Sequence, residues 1–507
     1  MRTLQRIAAG ALATCLAAAP ALATWSVVVV NLKTREVGVG CATCIVNIDL
    51  QPRLPMVRPG LGVGNVSAWW DTDGSRRQTM WDAFGNGHTP KEILEQLRLI
   101  GGHQKFQFGI VGFHGVPVTY TSPTAGAAVC GVSGIVGDLA YAIQGNVMTG
   151  EAVCLEAERM LLTTDGDLST KLMAAMQGAR SMGGDGRCSC SQANPPGCGS
   201  PPPNFTKSAH TAFMILSRVG DPEGTCGVAK GCANGKYYFG RTVVGDVNDT
   251  DPILVLQGIF DNWRQKQKGR PDHLLSLVQV DRQQLVADGL SSALVTVELI
   301  DIDGTPLGHG GDTLILTQTS PDPPIALPGP VTDNGDGTYT FELAATQSAG
   351  RGMWNIVVDF GKVAPRLLYP PLVLNSVPLT DFHAGVYEQS VERGGAVPFT
   401  INRGASEAGR AYHVLGTLSG TSPGVTIGGV WVPLNRDRLL EHTWLRPGPP
   451  TLPGSAGVLD GNGWAQAWLD LPPTSWSVLV GQRMDFCALL WGPNPEVTVV
   501  DGFPIVP

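Results

Sequence analysis

The sequence predicts a mixed α+β domain with two sheets packed face to face between helical layers, followed by two all-β sandwich modules. Three observations predict it. Up to about residue 271, strand-like and helix-like patterns come in blocks: strands, two helices, strands, two helices, strands, a helix. After Pro271 helical spacing fades, and short apolar or alternating runs lie between Gly, Asp and Pro turns. At 507 residues the chain exceeds one ordinary domain of about 100–200 residues.

Composition narrows the class. Hydrophobic residues make up 43% and charged residues 15%, a globular balance, and 65 Gly with 38 Pro imply many turns. The net charge is −8 with no long basic run, which excludes nucleic acid and anionic membrane as partners, since both need clustered Lys and Arg.

The N-terminus has the three parts of a signal peptide over residues 1–23. Arg2 and Arg6 give a positive start, Ile7 to Ala19 an apolar stretch, and Ala21-Leu22-Ala23 a cleavage site. The apolar stretch is shorter than the ~20 residues of a membrane span. A competing reading takes Leu12-Ala13-Thr14-Cys15 as a lipoprotein signal with Cys15 lipidated, although Thr14 is a poor residue before such a cysteine. Export makes disulfides the expected state of the ten cysteines after Cys15. Zinc held by the Cys41/Cys44 pair and the Cys188/Cys190 pair is the alternative. Cys487, far from the others, is expected to be free.

Thr24 to Asn31 is a valine-rich run suited to a strand buried on both faces. Val37 to Val46 returns as its hairpin partner. Gly60 to Ser67 is a third, glycine-rich strand, whose small residues admit a close backbone or a substrate. Helices are predicted over Arg76 to Phe84 and after Thr89-Pro90, with Thr89 as N-cap. Phe106 to Phe113 and Val116 to Thr121 form a hairpin. Glu151 to Leu162 and Leu168 to Met182 have apolar residues at helical spacing. Ala209 to Val219 and Tyr237 to Val247 are strands, and Asp251-Pro252 opens a helix to about Lys266.

Beyond that, Val278 to Val286, Ala293 to Ile302, Thr338 to Ala344 and Met353 to Phe360 read as strands of an immunoglobulin-like sandwich over 272–375. Asp333 to Tyr339 is a turn and not a calcium loop, because the twelfth position is Ala344. A second β-rich module runs over 376–507, with Thr400, Leu415, Val430 and Trp468 on strands.

The chemistry centres on Thr24. Cleavage after Ala23 would leave it as the first residue, with a free α-amine. An alcohol needs a base beside it. An α-amine, with a pKa near ~7.7–8.0, is partly unprotonated at neutral pH, whereas a lysine near ~10.4 is not. An N-terminal threonine therefore carries both nucleophile and base. The other reading of Thr24 is simply an acceptable residue after a signal cut. The nine histidines show no HExxH spacing and none sits beside a G-x-S-x-G, so neither a zinc protease nor a serine hydrolase is expected. No nucleotide loop is present either.

Thr24 to about Trp263 resembles the domain of unknown function 1028 family, assigned to the Ntn (N-terminal nucleophile) hydrolase fold. Thr24-Trp25-Ser26 stands where family members begin Thr-Phe-Ser after their methionine. Tyr141-Ala142-Ile143-Gln144-Gly145-Asn146 is similar to the family's Tyr-Ala-x-Gln-Gly-Asn signature. Gly183-Gly184-Asp185-Gly186-Arg187 is similar to its Gly-Gly-Asp-x-Arg segment, and Asp249 to Pro252 to its closing helix start. The resemblance covers about half the chain and implies a four-layer αββα sandwich over 24–271 and hydrolysis of an amide bond, without a cofactor or metal. It departs from the family at Thr43-Cys44, where many members have Ser-Lys.

On this reading Thr24 is the nucleophile. Asn146, with backbone N–H groups near Gly145, would donate to an oxyanion, and Asp185 would orient the amine or pair with Arg187. Thr43, Gln144, Gly145 and Arg187 would line the substrate site. Asn146 and Gln144 could equally serve a turn, and Asp185 with Arg187 a structural ion pair. The regions around Ala287-Asp288-Gly289 and Asp336-Gly337-Thr338-Tyr339 resemble bacterial invasin- or filamin-type immunoglobulin-like repeats, which implies contact at a cell surface or a spacer. Two functions follow: a secreted amidohydrolase, or an exported binding protein that keeps the scaffold without turnover. The amide-containing substrate and the oligomeric state are not legible.

Overall fold

The computed structural model describes residues 24–126, 128–287, 289, 291–320, 323–361, 364–377, 380–386, 388–392, 394–473 and 475–507. The expected signal segment 1–23, with Cys15, and Asp288 of the repeat-like segment lie outside the described residues. The chain divides into two compact units after Lys266.

The first unit is mixed α+β. Its strands are β1 (Thr24–Asn31), β2 (Val37–Thr43), β3 (Pro55–Arg58), β4 (Gly62–Ser67), β5 (Gln107–Gly112), β6 (Val118–Thr121), β7 (Cys130–Val136), β8 (Leu139–Asn146), β9 (Thr211–Ser217) and β10 (Phe239–Val244). Its helices are α1 (Ser75–Gly85), α2 (Pro90–Leu99), α3 (Ala152–Thr163), α4 (Leu168–Ser181), α5 (Gly186–Ser189) and α6 (Pro252–Gln267). One sheet has the order β10-β9-β2-β1-β8-β7 and the other β3-β4-β5-β6. The valine run β1 is central and antiparallel to both neighbours, with Val28 opposite Val39 on one side and Ala142 on the other.

Alternation along the strands sorts side chains to the two faces. Trp25, Val27 and Val29 pack with Leu161, Leu172, Met176, Ile253 and Phe260 of α3, α4 and α6. Val28 and Val30, on the opposite face of β1, join Val37, Val39, Val63, Val111, Phe213 and Ile215 between the two sheets. Met80, Phe84, Ile93 and Leu97 of α1 and α2 cover Phe108 and Ile110 on the far face of the smaller sheet.

The helix starts follow local chemistry. Thr89 and Glu92 form a reciprocal capping box on α2. Asp167 caps α4 through Thr170 N at 2.9 Å and also accepts from Arg264 of α6 at 2.8 Å. α1 has no side-chain cap at Gly74; instead the buried Asp71 carboxylate accepts from Arg76 N at 3.3 Å and Arg77 N at 3.2 Å.

In the second unit, the first sandwich sets Leu277–Val280, Ser292–Glu298, Thr338–Ala345 and Ala326–Pro328 against Gln284–Val286, Leu372–Val377, Gly350–Asp359 and Thr313–Ser320. Val295, Val297, Tyr339, Phe341, Trp354 and Ile356 fill it. The stretch expected as one strand over Val278 to Val286 is two strands in opposite sheets. In the Asp333–Tyr339 turn the carboxylates accept from backbone donors, Asp333 from Gly335 N and Asp336 from Thr338 N, both at 2.9 Å, and Asp333 also from Gly311 N at 2.7 Å. The second sandwich packs Phe382, Phe399, Phe486 and Phe503 together and adds a short helix, Arg438–Leu445, capped by Asp437.

Candidate active site

The space between the two sheets changes character along the strands. At one end it holds the valines named above. At the other, the same inward positions carry Thr24 and Ser26 on β1, Thr43 on β2, Asn65 and Ser67 on β4, Gln107 on β5, and Gln144 and Asn146 on β8. All are buried. Two-residue steps from Val28, Val63, Val111 and Ala142 lead onto these polar side chains, so one face of each strand runs from apolar to neutral polar.

Thr24 opens β1 at this polar end. It pairs in register with Asn146, and its backbone nitrogen donates to Asn146 Oδ1 at 3.1 Å. Asn146 Nδ2 donates to Ala125 O at 2.8 Å. The carboxamide oxygen thus sits on the nitrogen that cleavage before Thr24 would turn into an amine, while Nδ2 gives one of its two hydrogens to Ala125 O. Gly145 lies within the ladder, paired with Trp25 and Cys130, and its carbonyl accepts from Gln107 Nε2 at 3.2 Å. Gln144 donates to Ser26 Oγ at 2.8 Å. Gly109 leaves room for it: a Cβ there would stand 2.3 Å from Gln144 Nε2.

Asp185 is fully buried beside the end of β2. Its Oδ2 accepts from Cys44 N at 2.8 Å and from Arg187 Nη2 at 2.7 Å, and its Oδ1 accepts from Arg187 N and Nε, each at 3.1 Å. Burial pushes its pKa up, while the Arg187 bonds and the Cys44 N–H pull the other way. A bridge to Met148 ties Asp185 to the chain just past β8. Asp185 is therefore held to the exits of both strands that flank β1. The Cys44–Cys188 disulfide, 144 residues apart in sequence, fixes the Asp185–Arg187 loop to β2.

Thr43 is buried at the end of β2. It lies beside Thr24 if the Trp25–Ala42 pairing is carried one residue on, and its carbonyl accepts from His210 N at 2.8 Å. Among the expected site residues, Thr24, Thr43, Gln144, Gly145 and Asn146 share the strand ends, and Asp185 with Arg187 forms the adjoining buried ion pair. Sequence reasoning missed Ser26, Asn65, Ser67 and Gln107. Their signal was available as polar residues at inward positions of apolar strands. It also missed Val147, which follows Asn146 with φ +59°, a left-handed conformation that a β-branched residue rarely adopts.

The remaining disulfides are Cys130–Cys154, Cys190–Cys198 and Cys226–Cys232, and Cys41 and Cys487 are buried thiols. The zinc alternative for Cys41, Cys44, Cys188 and Cys190 fails here, since three of the four are in disulfides. Cys44, Cys188 and His210 bring ligand atoms within 4.8 Å of one another, but the two sulfurs are bonded to each other. No helix among the described residues is long and apolar enough to cross a membrane.

Residues 24–193 match the family of unknown function DUF1028, and residues 272–363 match invasin domain 3. Among solved structures, a DUF1028-family protein of Silicibacter pomeroyi is 14% identical, with 47% of this chain and 88% of that one covered and a TM-score of 0.34. Invasin, a bacterial integrin-binding protein, is 11% identical over 94% of this chain and 60% of that one, with a TM-score of 0.20. The adhesin InvE of Yersinia pseudotuberculosis is 17% identical over 45% of this chain and 58% of that one, with a TM-score of 0.19. No curated protein matches the chain.

Proposed function

We propose that the first unit is an Ntn-type amidohydrolase, its layers those of the αββα sandwich, and that the chain is exported with Thr24 made N-terminal by cleavage after Ala23. The observation that carries this reading is the bond from Thr24 N to Asn146 Oδ1 at the head of the central strand. The family match, which begins at the same residue, supports it.

Thr24 Oγ1 would add to the substrate carbonyl carbon while its proton passes to the α-amine. Breakdown expels the amine leaving group with that proton and leaves an ester on Thr24, which water then hydrolyses. Asn146 holds the α-amine in place, and Asp185 secures the loop beside it. The four disulfides accord with an oxidising compartment. With the invasin-domain match, they favour an extracellular or cell-surface protein whose β modules make contact there.

Intact-mass analysis and N-terminal sequencing of the exported protein, followed by treatment with a β-lactone that acylates N-terminal threonine, test this. A chain starting at Thr24 that gains one acyl group, with no gain in Thr24→Ala, supports the hydrolase. A start ahead of Thr24, or no acylation, overturns it.

A second reading, a binding protein on the same scaffold, is favoured by one observation. Where many family members have Ser-Lys this chain has Thr43-Cys44, and the neighbouring cation Arg187 is paired with Asp185.

A further inference from the structure

Asn65 is completely buried on β4, yet neither its Nδ2 nor its Oδ1 has a hydrogen-bond partner. Gln144 Oε1 and Thr119 Oγ1 are buried without a partner as well. The rows that carry these atoms face one another. Asn65, Gly109 and Thr119 form one row across the smaller sheet. Ser26, Gln144 and Gly131 form one row across the larger sheet. A Cβ on Gly109 would meet Gln144, and a Cβ on Gly131 would meet Thr119 Oγ1 at 3.1 Å. Those two correspondences put Asn65 across from Ser26, one pleat deeper than Thr24.

A buried polar atom left unpaired costs more than a made hydrogen bond returns. Four on two facing rows call for partners from outside the chain. What would fill the set follows from its chemistry. Asn65 Nδ2 needs an acceptor, while Asn65 Oδ1 and Gln144 Oε1 need donors. Both rows are uncharged, so an ionised group entering them would be buried without a counter-charge. A primary carboxamide supplies two N–H donors and one acceptor with no charge.

Resting on the hydrolase reading for why a substrate comes here, we infer that Asn65, Gln144 and Thr119 form a specificity pocket for a neutral carboxamide side chain. The substrate class is an amide or peptide with an asparagine- or glutamine-like group next to the bond cut at Thr24. The pocket discriminates against the matching carboxylate.

The test uses the exported protein with propionamide as probe and propionate as its isosteric acid, read by ligand-observed NMR and thermal melting. Propionamide binds at least about tenfold more tightly than propionate. Asn65→Leu lowers propionamide binding by about tenfold or more and, with no ligand present, melts about 2–6 °C higher because the unpaired amide is gone. If Asn65→Leu does not fold, Thr119→Val reads the same two signs. Equal binding of the acid overturns the inference. So does an Asn65→Leu protein that melts lower and keeps propionamide, because buried water then satisfies Asn65. Neither readout needs turnover, so a protein that fails β-lactone acylation can still pass, and one that is acylated can still fail.

Discussion

Thr24 and Asn146 meet through the threonine nitrogen: Asn146 Oδ1 accepts from it at 3.1 Å while the other side of the carboxamide holds Ala125. On the hydrolase reading this makes Asn146 a positioning residue. Asn146→Ala removes the acceptor and leaves the Ala125 carbonyl without its donor. β-Lactone acylation should slow by about a hundredfold, and stability should fall by about 1–3 kcal/mol. Asn146→Asp keeps an acceptor. It should restore part of the rate and move the acylation profile to higher pH, because a carboxylate beside the amine raises the amine's pKa. A purely structural role would give no such pH displacement.

Replacing both Cys44 and Cys188 by serine removes a link across 144 residues. Urea unfolding should show a loss of about 3–5 kcal/mol. If the link matters through Asp185, acylation should also slow in the variant under conditions where it remains folded.

Gly109→Ala tests the seat of Gln144. The new Cβ would stand 2.3 Å from Gln144 Nε2, with the Gly109 backbone inside a paired strand and unable to yield. The side chain must leave its bond to Ser26, and overpacking should cost about 1–3 kcal/mol. Thermal melting checks it.

Asp221 supplies a pH dependence. Burial raises its pKa to about 6, against the pull of the N–H groups of Arg218 and Tyr238. A carboxyl whose folded pKa is raised favours the fold while it is protonated. Its contribution is complete below the unfolded value near ~3.9 and is lost as pH rises through about 6. The loss should be about 2 kcal/mol after allowance for partial exposure. Asp221→Asn should flatten the stability curve between about pH 4 and 7, as urea midpoints across that range would show.

Much of the first unit was legible because its signals are local. The valine run, the Thr89–Glu92 box and the Asp251-Pro252 start each need only a few adjacent residues. β3 was missed because four residues carry too little pattern. β7 was missed because Cys130–Val136 is a glycine- and serine-containing edge strand exposed along much of its length, and β8 because Gln144, Gly145 and Asn146 break the apolar run of Leu139–Ile143 and read equally as a turn. The break within Val278 to Val286 was invisible because apolar residues continue through it; which sheet each half joins is decided by partners elsewhere in sequence. At the site, Thr24 came from the cleavage pattern and Asn146 and Asp185 from motif resemblance, and the nearness of Thr24 to Asn146 could not be read across more than a hundred residues. Asn65 and Gln107 carry no motif, and only the facing of the two sheets gives them meaning.

The tie between Cys44 and Cys188 has a temporal side. On the proposed hydrolase reading, two covalent events would complete this site: a peptide bond broken before Thr24, and a sulfur–sulfur bond made beside Asp185. In an exported chain both would follow departure from the reducing interior. A molecule still inside the cell would then have neither the amine nor the anchored loop, an interlock that would spare its own amide-bearing neighbours.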